Sequence, residues 1–243
     1  MTPNHWRHYV KRAARRFGFD VIQFHPDRSD AAAVAAVMRH FGIGLVLDVG
    51  ANTGQYGATL REAGYNGGIV SFEPLSSAHA RLTANAAGDA RWTVHPRVAI
   101  GDHDGEITLN VAGNSFSSSV LPMSEKHAAA APESRYIGKE IVPLQSLDFA
   151  AHGYLGEEPA IHLKIDTQGF EAAVLRGAGQ TLGRCKTVQL ELSLTPLYEG
   201  QELWQYFLSD FESRGFTLWT VLPEFVESST GRTLQLDAIF ARA

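Results

Sequence analysis

The chain has 243 residues, long for one small domain and short for two, and 44% of them are hydrophobic. A formal net charge of -5 argues against a general nucleic-acid-binding protein, because such proteins usually carry a basic excess. The single cysteine, Cys185, excludes an internal disulfide, and no apolar run reaches the roughly 20 residues that span a bilayer. No secretory leader is recognisable, so we expect a cytoplasmic protein.

Two helices, at 4–18 and 28–41, are predicted to form an N-terminal helical extension, 1–43, ahead of a main domain, 44–243. The first helix carries Arg7, Lys11 and Arg15 on one face, with aromatic residues between them. Two arrangements are open for it: contact with an anionic membrane surface, at the inner face of a membrane, or packing of its aromatic residues on the domain. We expect the second, because so short a helix binds a membrane weakly.

Strand and helix patterns alternate from residue 45 onward, which is typical of a parallel sheet covered on both faces. Residues 112–140 are predicted to be irregular, and a helix is predicted near 145–152. The last two strands have no helix between them and should pair as an antiparallel β-ribbon. Such a mostly parallel seven-stranded Rossmann-like sheet, with helices on both faces and a C-terminal ribbon, resembles the class I methyltransferases in layout. The seven predicted strands of this sheet are 45–47, 68–72, 92–100, 161–165, 187–192, 216–221 and 234–240, and residues 107–111 are predicted as a further, half-exposed strand.

The first strand runs into D-x-G-x-N-x-G at residues 48–54. A dinucleotide fingerprint beginning at Gly50 would need glycine where Asn52 and Gln55 stand, so a diphosphate would miss the bare backbone that it requires. The loop suits S-adenosylmethionine better, because this cofactor has no phosphate. Asp48 can offset its positive charge, and the N–H groups near Gly54 and Gln55 can receive its carboxylate.

Two further acids follow the next strands. Glu73 comes after the second strand and can accept both ribose hydroxyls, and Asp102 comes after the third strand region and can accept from the adenine amine. A tight turn in which Asp48 caps free N–H groups is the structural alternative for the loop. A turn-forming aspartate is the alternative for Asp102.

The blocks VLDVGANTGQY, SFEP, LKIDTQGFEAAVLRGA and VQLELSLTPLYEG, with the closing LDAIFAR, resemble the FkbM-type S-adenosylmethionine-dependent O-methyltransferases over about 45–242. The resemblance implies methylation of hydroxyls on a sugar, glycolipid or polyketide-type acceptor. The net charge leads us to expect no nucleic acid as partner. It implies that Glu171 lies with Asp166 at the mouth of the site. Many members carry Glu where this chain has Gln168, so no carboxylate acts from that position here. The cofactor-binding residues that it implies are Asp48, Gly50, Asn52, Gly54 and Glu73.

A sugar hydroxyl is a weak acid and benefits from a positioned base during methyl transfer. Asp166 ends the fourth strand and is our first candidate; its alternative role is to cap the following helix. Glu191 is the second candidate, and His103 is an outside one. We do not expect a metal, although Asp166 with Glu191 offers the oxygen ligands that suit Mg²⁺. The segment 113–139 should cover the acceptor, with its serines, Ser115 and 117–119, bonding sugar hydroxyls.

Two other functions remain open from the sequence. A nucleotide-sugar oxidoreductase or epimerase using NAD would need Tyr-x-x-x-Lys, but Tyr136 and Lys139 are only three positions apart. A non-catalytic binding module could keep the same fold. The sequence does not determine the oligomeric state.

Overall fold

A computed structural model describes residues 5–156 and 160–242, with side chains from residue 9 onward. Its main element is a seven-stranded sheet in the order β3-β2-β1-β7-β8-β10-β9. All neighbours are parallel except β10, which runs antiparallel to both β8 and β9. This confirms the predicted fold, including the reversed ribbon. The strands are β1 (Ile43–Val49), β2 (Gly68–Phe72), β3 (Trp92–Val94), β4 (Ala99–Gly101), β5 (Gly105–Ala112), β6 (Tyr136–Ser146), β7 (Ala160–Ile165), β8 (Cys185–Ser193), β9 (Thr217–Glu227) and β10 (Arg232–Ala241).

Helices cover both faces of this sheet. One face packs on α2–α4, and the other packs on α6–α9. Side chains of β1 alternate between the faces: Leu45 and Leu47 pack with helices α6–α9, whereas Val46 packs with helices α2–α4. The helices are α1 (His5–Arg15), α2 (Asp30–His40), α3 (Gln55–Glu62), α4 (Ser76–Ala86), α5 (Glu125–Ala130), α6 (Leu147–Ala151), α7 (Glu171–Arg176), α8 (Gly179–Arg184) and α9 (Trp204–Ser213).

A second, three-stranded sheet in the order β4-β6-β5 corrects the sequence prediction. The predicted third strand region, 92–100, is divided between the two sheets, with β3 in one and β4 in the other. The stretch predicted to be irregular contains α5 and the first half of β6. Gly138 and Pro143 interrupt the strand pattern of β6 in the sequence. The strand forms because it pairs with β5, an antiparallel partner that is distant in the chain. Two short helices, α7 and α8, follow β7.

The two N-terminal helices differ in how they meet the domain. Ser29 caps α2 by accepting a hydrogen bond from the Ala32 amide, and Val34, Val37 and Met38 are buried against the sheet. By contrast, Tyr9 and Phe17, in and just after α1, are largely exposed. The expected packing of the aromatic residues of this first helix on the domain is therefore wrong for these two residues. Among the described helices, none combines the length and the apolar character needed to cross a bilayer.

Candidate active site

A cleft formed by two adjoining cavities lies at the carboxyl ends of β1, β2, β7 and β8, where open α/β sheets bind ligands. The first cavity, of about 160 Å³, faces β2 and β4. The second, of about 290 Å³, faces α2, α3 and β10. Five residues line both cavities: Gly50, Asn52, Phe116, Asp166 and Glu224.

Backbone strain is concentrated in the wall of the first cavity. Asn52, Ser115 and Gln168 have positive φ angles of 48°, 61° and 54°, and no other non-glycine residue of the described chain does. All three line the first cavity. Such conformations persist where surrounding contacts impose them, and they cluster at ligand sites. Backbone geometry therefore marks the same cleft that the sequence predicts.

The loop after β1 is held by its neighbours on both sides. The amides of Gly50 and Ala51 donate to the Phe72 carbonyl at the end of β2, and the Asp166 amide donates to the Val49 carbonyl. Gly50 has a φ of +82°, and a Cβ there would lie 1.8 Å from the Asp166 carbonyl oxygen. Only glycine permits this close approach of β1 and β7. Gly54 packs on the far side of the loop, where a Cβ would lie 2.9 Å from Leu82.

Glu73 forms the polar end of the first cavity. Its two carboxylate oxygens accept hydrogen bonds from the Asn52 and Leu75 amides, each at 2.8 Å. Burial raises the pKa of Glu73 to about 7, although these two amides oppose the rise. The neighbouring wall is apolar and is formed by Phe72, Val98, Ala99, Ile100 and Phe170. A carboxylate beside an apolar slot fits a ribose joined to a flat base.

Asp48 lies below the loop, and it lines neither cavity. Its fully buried carboxylate accepts from Ser71 at 3.3 Å, and Ser71 in turn accepts from the Trp92 indole at 3.0 Å. Burial raises the pKa of Asp48 to about 6, and Lys164 opposes the rise. The structure thus places the Asp48 carboxylate beneath the cleft, where it acts on other side chains.

Lys164 connects Asp48 to the cleft. On β7 it is paired with Asp48 on β1, and its Nζ lies 4.0 Å from the Asp48 carboxylate and 3.0 Å from Asp166 Oδ2. The ammonium also lies over the Tyr56 ring, 5.1 Å from its centre. Burial by itself lowers the pKa of Lys164, but Asp166 and Asp48 more than offset this and raise it above its usual value. The lysine is a buried cation flanked by two acids.

Gln168 joins the two candidate bases. Its amide nitrogen donates to Asp166 Oδ1 at 2.9 Å and to Glu191 Oε2 at 2.7 Å. Its amide oxygen accepts from the Tyr198 hydroxyl at 2.6 Å, which requires the NH₂ group to face the carboxylates. Burial, together with the nearby Asp166, raises the pKa of Glu191 well above its usual value. Glu191 Oε2 also accepts from the Gln235 side chain at 2.8 Å, and Glu191 lines only the first cavity, whereas Asp166 lines both.

The capping role considered for Asp166 belongs to another acid. Glu171 is buried, and its Oε1 accepts from the Thr167 amide, the Thr167 hydroxyl and the Gly169 amide, closing the turn after β7. It lines neither cavity. Asp166 instead receives its hydrogen bonds from Lys164 and Gln168.

Asp102 and His103 lie outside the cleft. The Asp102 carboxylate accepts from Arg176 at 2.9 Å and lies 2.7 Å from His103 Nδ1, and neither residue lines a cavity. The reason is topological: they follow β4, which belongs to the small sheet. Of the remaining predicted cofactor residues, Gly50, Asn52 and Glu73 line the first cavity and Gln55 lines the second.

The loop between β5 and α5 covers the first cavity, but most of its serines stabilise the loop itself. Ser117 bonds Ser134, and Ser119 donates to the Gln168 carbonyl at 2.7 Å. The Ser115 hydroxyl accepts from the side-chain Nδ2 of Asn52 at 3.3 Å, which joins this loop to the one after β1. Only Ser115 and Ser118 of the four predicted serines line the cavity.

Sequence reasoning missed the polar side chains that lie beside Lys164 in the wall of the second cavity. Gln189 donates to Asp237 at 2.6 Å and accepts from Tyr56 at 2.9 Å. The signal was present as alternation, because β7, β8 and β10 each place polar residues at every second position near their carboxyl or pairing ends. Within the described ranges, no three His, Cys, Asp or Glu side chains are grouped to hold a metal ion.

A parallel sheet with a reversed terminal ribbon, a glycine loop after β1 and an acid after β2 defines a protein of the class I methyltransferase fold. The sequence matches the family model described as the methyltransferase FkbM domain over residues 48–218, and the chain belongs to this family. This confirms the family that the sequence motifs indicated. No curated protein sequence matches the chain.

Solved structures share the fold at low sequence identity. A putative O-methyltransferase from Klebsiella pneumoniae is 14% identical, with a TM-score of 0.50, covering 100% of this chain and 92% of that one. The methyltransferase FkbM from Methylobacillus flagellatus KT is 15% identical, with a TM-score of 0.47, covering 81% and 43% respectively. Magnesium protoporphyrin IX methyltransferase from Synechocystis PCC 6803, with bound SAM, is 11% identical, with a TM-score of 0.47, covering 98% and 95%.

Proposed function

We propose that the protein is an O-methyltransferase that moves a methyl group from S-adenosylmethionine to a hydroxyl of a sugar, carried by a glycolipid or a polyketide-type natural product. One observation carries the proposal. Asp166 lines both cavities, and its carboxylate is oriented by Lys164 on one oxygen and by Gln168 on the other. A carboxylate held in this way between a cofactor cavity and an acceptor cavity can take the proton of an attacking hydroxyl.

The first cavity fits the nucleoside part of the cofactor. Glu73 would accept the ribose hydroxyls, and Val98, Ile100 and Phe170 would enclose the adenine. Backbone amides near Gln55, at the start of α3, would receive the amino-acid end. When bound, S-adenosylmethionine supplies an electrophilic methyl group. Asp48 lies beneath the cleft and would influence the bound cofactor only indirectly, through its ion pair with Lys164.

At the acceptor, this chain provides alignment and proton removal. A sugar hydroxyl has a pKa roughly like that of water, about 15.7, so it must lose its proton as the new bond forms. Asp166 accepts that proton, and the ion pair with Lys164 fixes the orientation of its carboxylate. Glu191 lines only the first cavity, so it does not face the acceptor cavity as Asp166 does. Gln168 holds both side chains in place.

The polar lining of the second cavity supports a hydroxyl-rich acceptor. Carboxylate and amide side chains from four elements face it, and these groups accept from or donate to neighbouring sugar hydroxyls. They are Asp30, Gln189, Glu224 and Asp237.

Calorimetry tests the cofactor. We expect S-adenosylhomocysteine to bind and NAD⁺ not to bind. The reverse result would return the chain to the oxidoreductase or epimerase hypothesis. Binding of S-adenosylhomocysteine without methyl transfer to any acceptor would favour a non-catalytic module.

Transfer of labelled methyl groups to a panel of deoxysugars and glycolipids tests the reaction. The expected product is a methyl ether, which survives mild base, whereas a methyl ester does not. Asp166→Asn should lower kcat by about 100-fold or more while the affinity for S-adenosylhomocysteine is unchanged. Asp210→Asn, at a partly exposed ion pair on α9, is the matched control. Unchanged turnover in Asp166→Asn would assign the base elsewhere.

A further inference from the structure

Residues 9–24, here called the N-terminal segment, expose an unusual number of large apolar side chains. Phe17 is 80% exposed, Phe19 71% and Phe24 59%, and Tyr9, Val21 and Ile22 are also exposed. In the described part of the chain, no buried cluster includes a residue before Ala33. A solvent-facing group of this kind on a globular protein marks a surface that meets something apolar.

The hydrogen bonds of the segment are local. Those described for residues 9–24 all stay within the segment, as in the pair between Arg15 and Asp20. Contacts with the domain therefore do not account for the apolar side chains of the segment. Docking the segment elsewhere would break none of the described hydrogen bonds to the domain.

The charge of the segment is opposite to that of the rest of the molecule. Residues 1–24 contain five of the 21 Lys and Arg residues and one of the 26 acids, a formal charge of +4, so the remaining residues carry -9. Lys11, Arg12 and Arg16 have no acidic partner among the described salt bridges. A strongly basic segment on an acidic protein is complementary to an anionic surface.

The arrangement along α1 fits the boundary between lipid headgroups and acyl chains. At 100° per residue, Val10, Ala14 and Phe17 fall on one side of the helix, and Lys11 and Arg15 fall toward the other. The apolar residues then continue beyond the end of the helix, from Phe19 to Phe24. Aromatic and aliphatic residues that enter the boundary, with cations that meet phosphate groups, are the features of an interfacial segment. The continuation compensates for the shortness of the helix.

We propose that the N-terminal segment docks on a membrane surface rich in anionic phospholipid. Docking would also bring the cleft toward lipid-borne acceptors. Phe24 is six residues from Asp30, which lines the second cavity, so at most about 20 Å of chain separates the two. This consequence rests on the proposed function, whereas docking itself does not.

Vesicle co-sedimentation of the full chain tests docking without cofactor or acceptor. Vesicles of phosphatidylcholine with phosphatidylglycerol should bind the protein, vesicles of phosphatidylcholine alone should bind it far less, and added salt should weaken binding. A triple variant, Lys11→Gln/Arg12→Gln/Arg16→Gln, should lose about fivefold in affinity for each cation, or about 100-fold in total. The matched control removes three exposed cations elsewhere: Arg81→Gln/Lys186→Gln/Arg232→Gln.

A second variant, Phe17→Ser/Phe19→Ser/Phe24→Ser, should also reduce binding while the thermal unfolding midpoint is unchanged, because these side chains lie outside the core. Equal loss in the cation variant and its control would overturn the proposal. So would the absence of binding to anionic vesicles, or self-association in solution that requires the three phenylalanines. Methylation of a soluble acceptor by the Phe variant should stay at the level of the unmodified chain, so failure of docking and failure of the proposed function can be told apart.

Discussion

Replacing Lys164 by methionine removes the buried cation between Asp48 and Asp166 while keeping most of the side-chain volume. The Asp48 carboxylate is fully buried, and its Oδ1 lies 4.0 Å from the Lys164 ammonium. At an effective dielectric constant of about 20, a pair at this distance interacts by about 4 kcal/mol. Loss of one partner of a buried pair typically costs about 3–5 kcal/mol. We expect Lys164→Met to lower the free energy of unfolding at pH 7 by about that amount.

The loss should depend on pH in a defined direction. The pKa of Asp48 is raised by burial from 3.8 to about 6, so ionising Asp48 opposes folding: stability from its protonated form is present below about pH 4 and is lost as the pH rises through about 6. Without Lys164 the pKa of Asp48 rises further. The difference between the unmodified chain and the variant should therefore be largest above pH 6 and shrink toward pH 4.

Denaturant unfolding followed by circular dichroism at several pH values measures this difference. Lys164→Met/Asp48→Asn should recover most of the lost stability, because no buried charge remains unpaired there. Lys186→Met, at an exposed position of β8, is the matched control and should change stability by less than about 0.5 kcal/mol. The reasoning is refuted if Lys164→Met resembles Lys186→Met at pH 7, or if the double variant is less stable than the single one.

Three other outcomes are expected. Gly64→Ala should lower the free energy of unfolding by about 1–2 kcal/mol because of its φ of +89° alone. Gly50→Ala should lower it by several kcal/mol more, because the added Cβ would overlap the Asp166 carbonyl. Equal losses for the two variants in denaturant unfolding would contradict this. Gln168→Glu would add a third carboxyl group beside Asp166 and Glu191, so the acidic limb of the kcat profile should move to higher pH; an unmoved limb would separate Gln168 from the base. Glu73→Gln should weaken S-adenosylhomocysteine binding in calorimetry by about 10- to 100-fold, and an unchanged Kd would assign the ribose elsewhere.

The prediction from sequence succeeded where the cause of the structure is local. The apolar run of β1 and the glycines after it form a buried strand and a tight loop because of their own side chains and backbone freedom. The cleft followed from a general property of parallel sheets, since carboxyl ends of neighbouring strands meet at one edge. That property identified Glu73 and Asp166 as cavity residues.

The prediction from sequence failed where the local structure is decided by partners that are distant in the chain. β6 exists because it pairs with β5, and the helix and strand signals within it are weak. Asp102 was expected in the cleft because its strand was assigned to the main sheet, whereas β4 belongs to the small one. The sequence left two arrangements open for the first helix, and packing on the domain was expected. Tyr9 and Phe17 are exposed instead, because their burial depends on a surface that the rest of the fold does not supply.

The sequence by itself determined the class of the sheet, the reversed ribbon and a loop without the glycines of the dinucleotide fingerprint, because periodicity and glycine placement act over a few residues. Only the tertiary structure decided that Asp48 lies beneath the cleft and that Lys164 and Gln168 hold the two oxygens of Asp166. The physical reason is register: the face and neighbours of a strand residue are set by pairing across β1, β7 and β8, and one residue of slip would exchange the two faces.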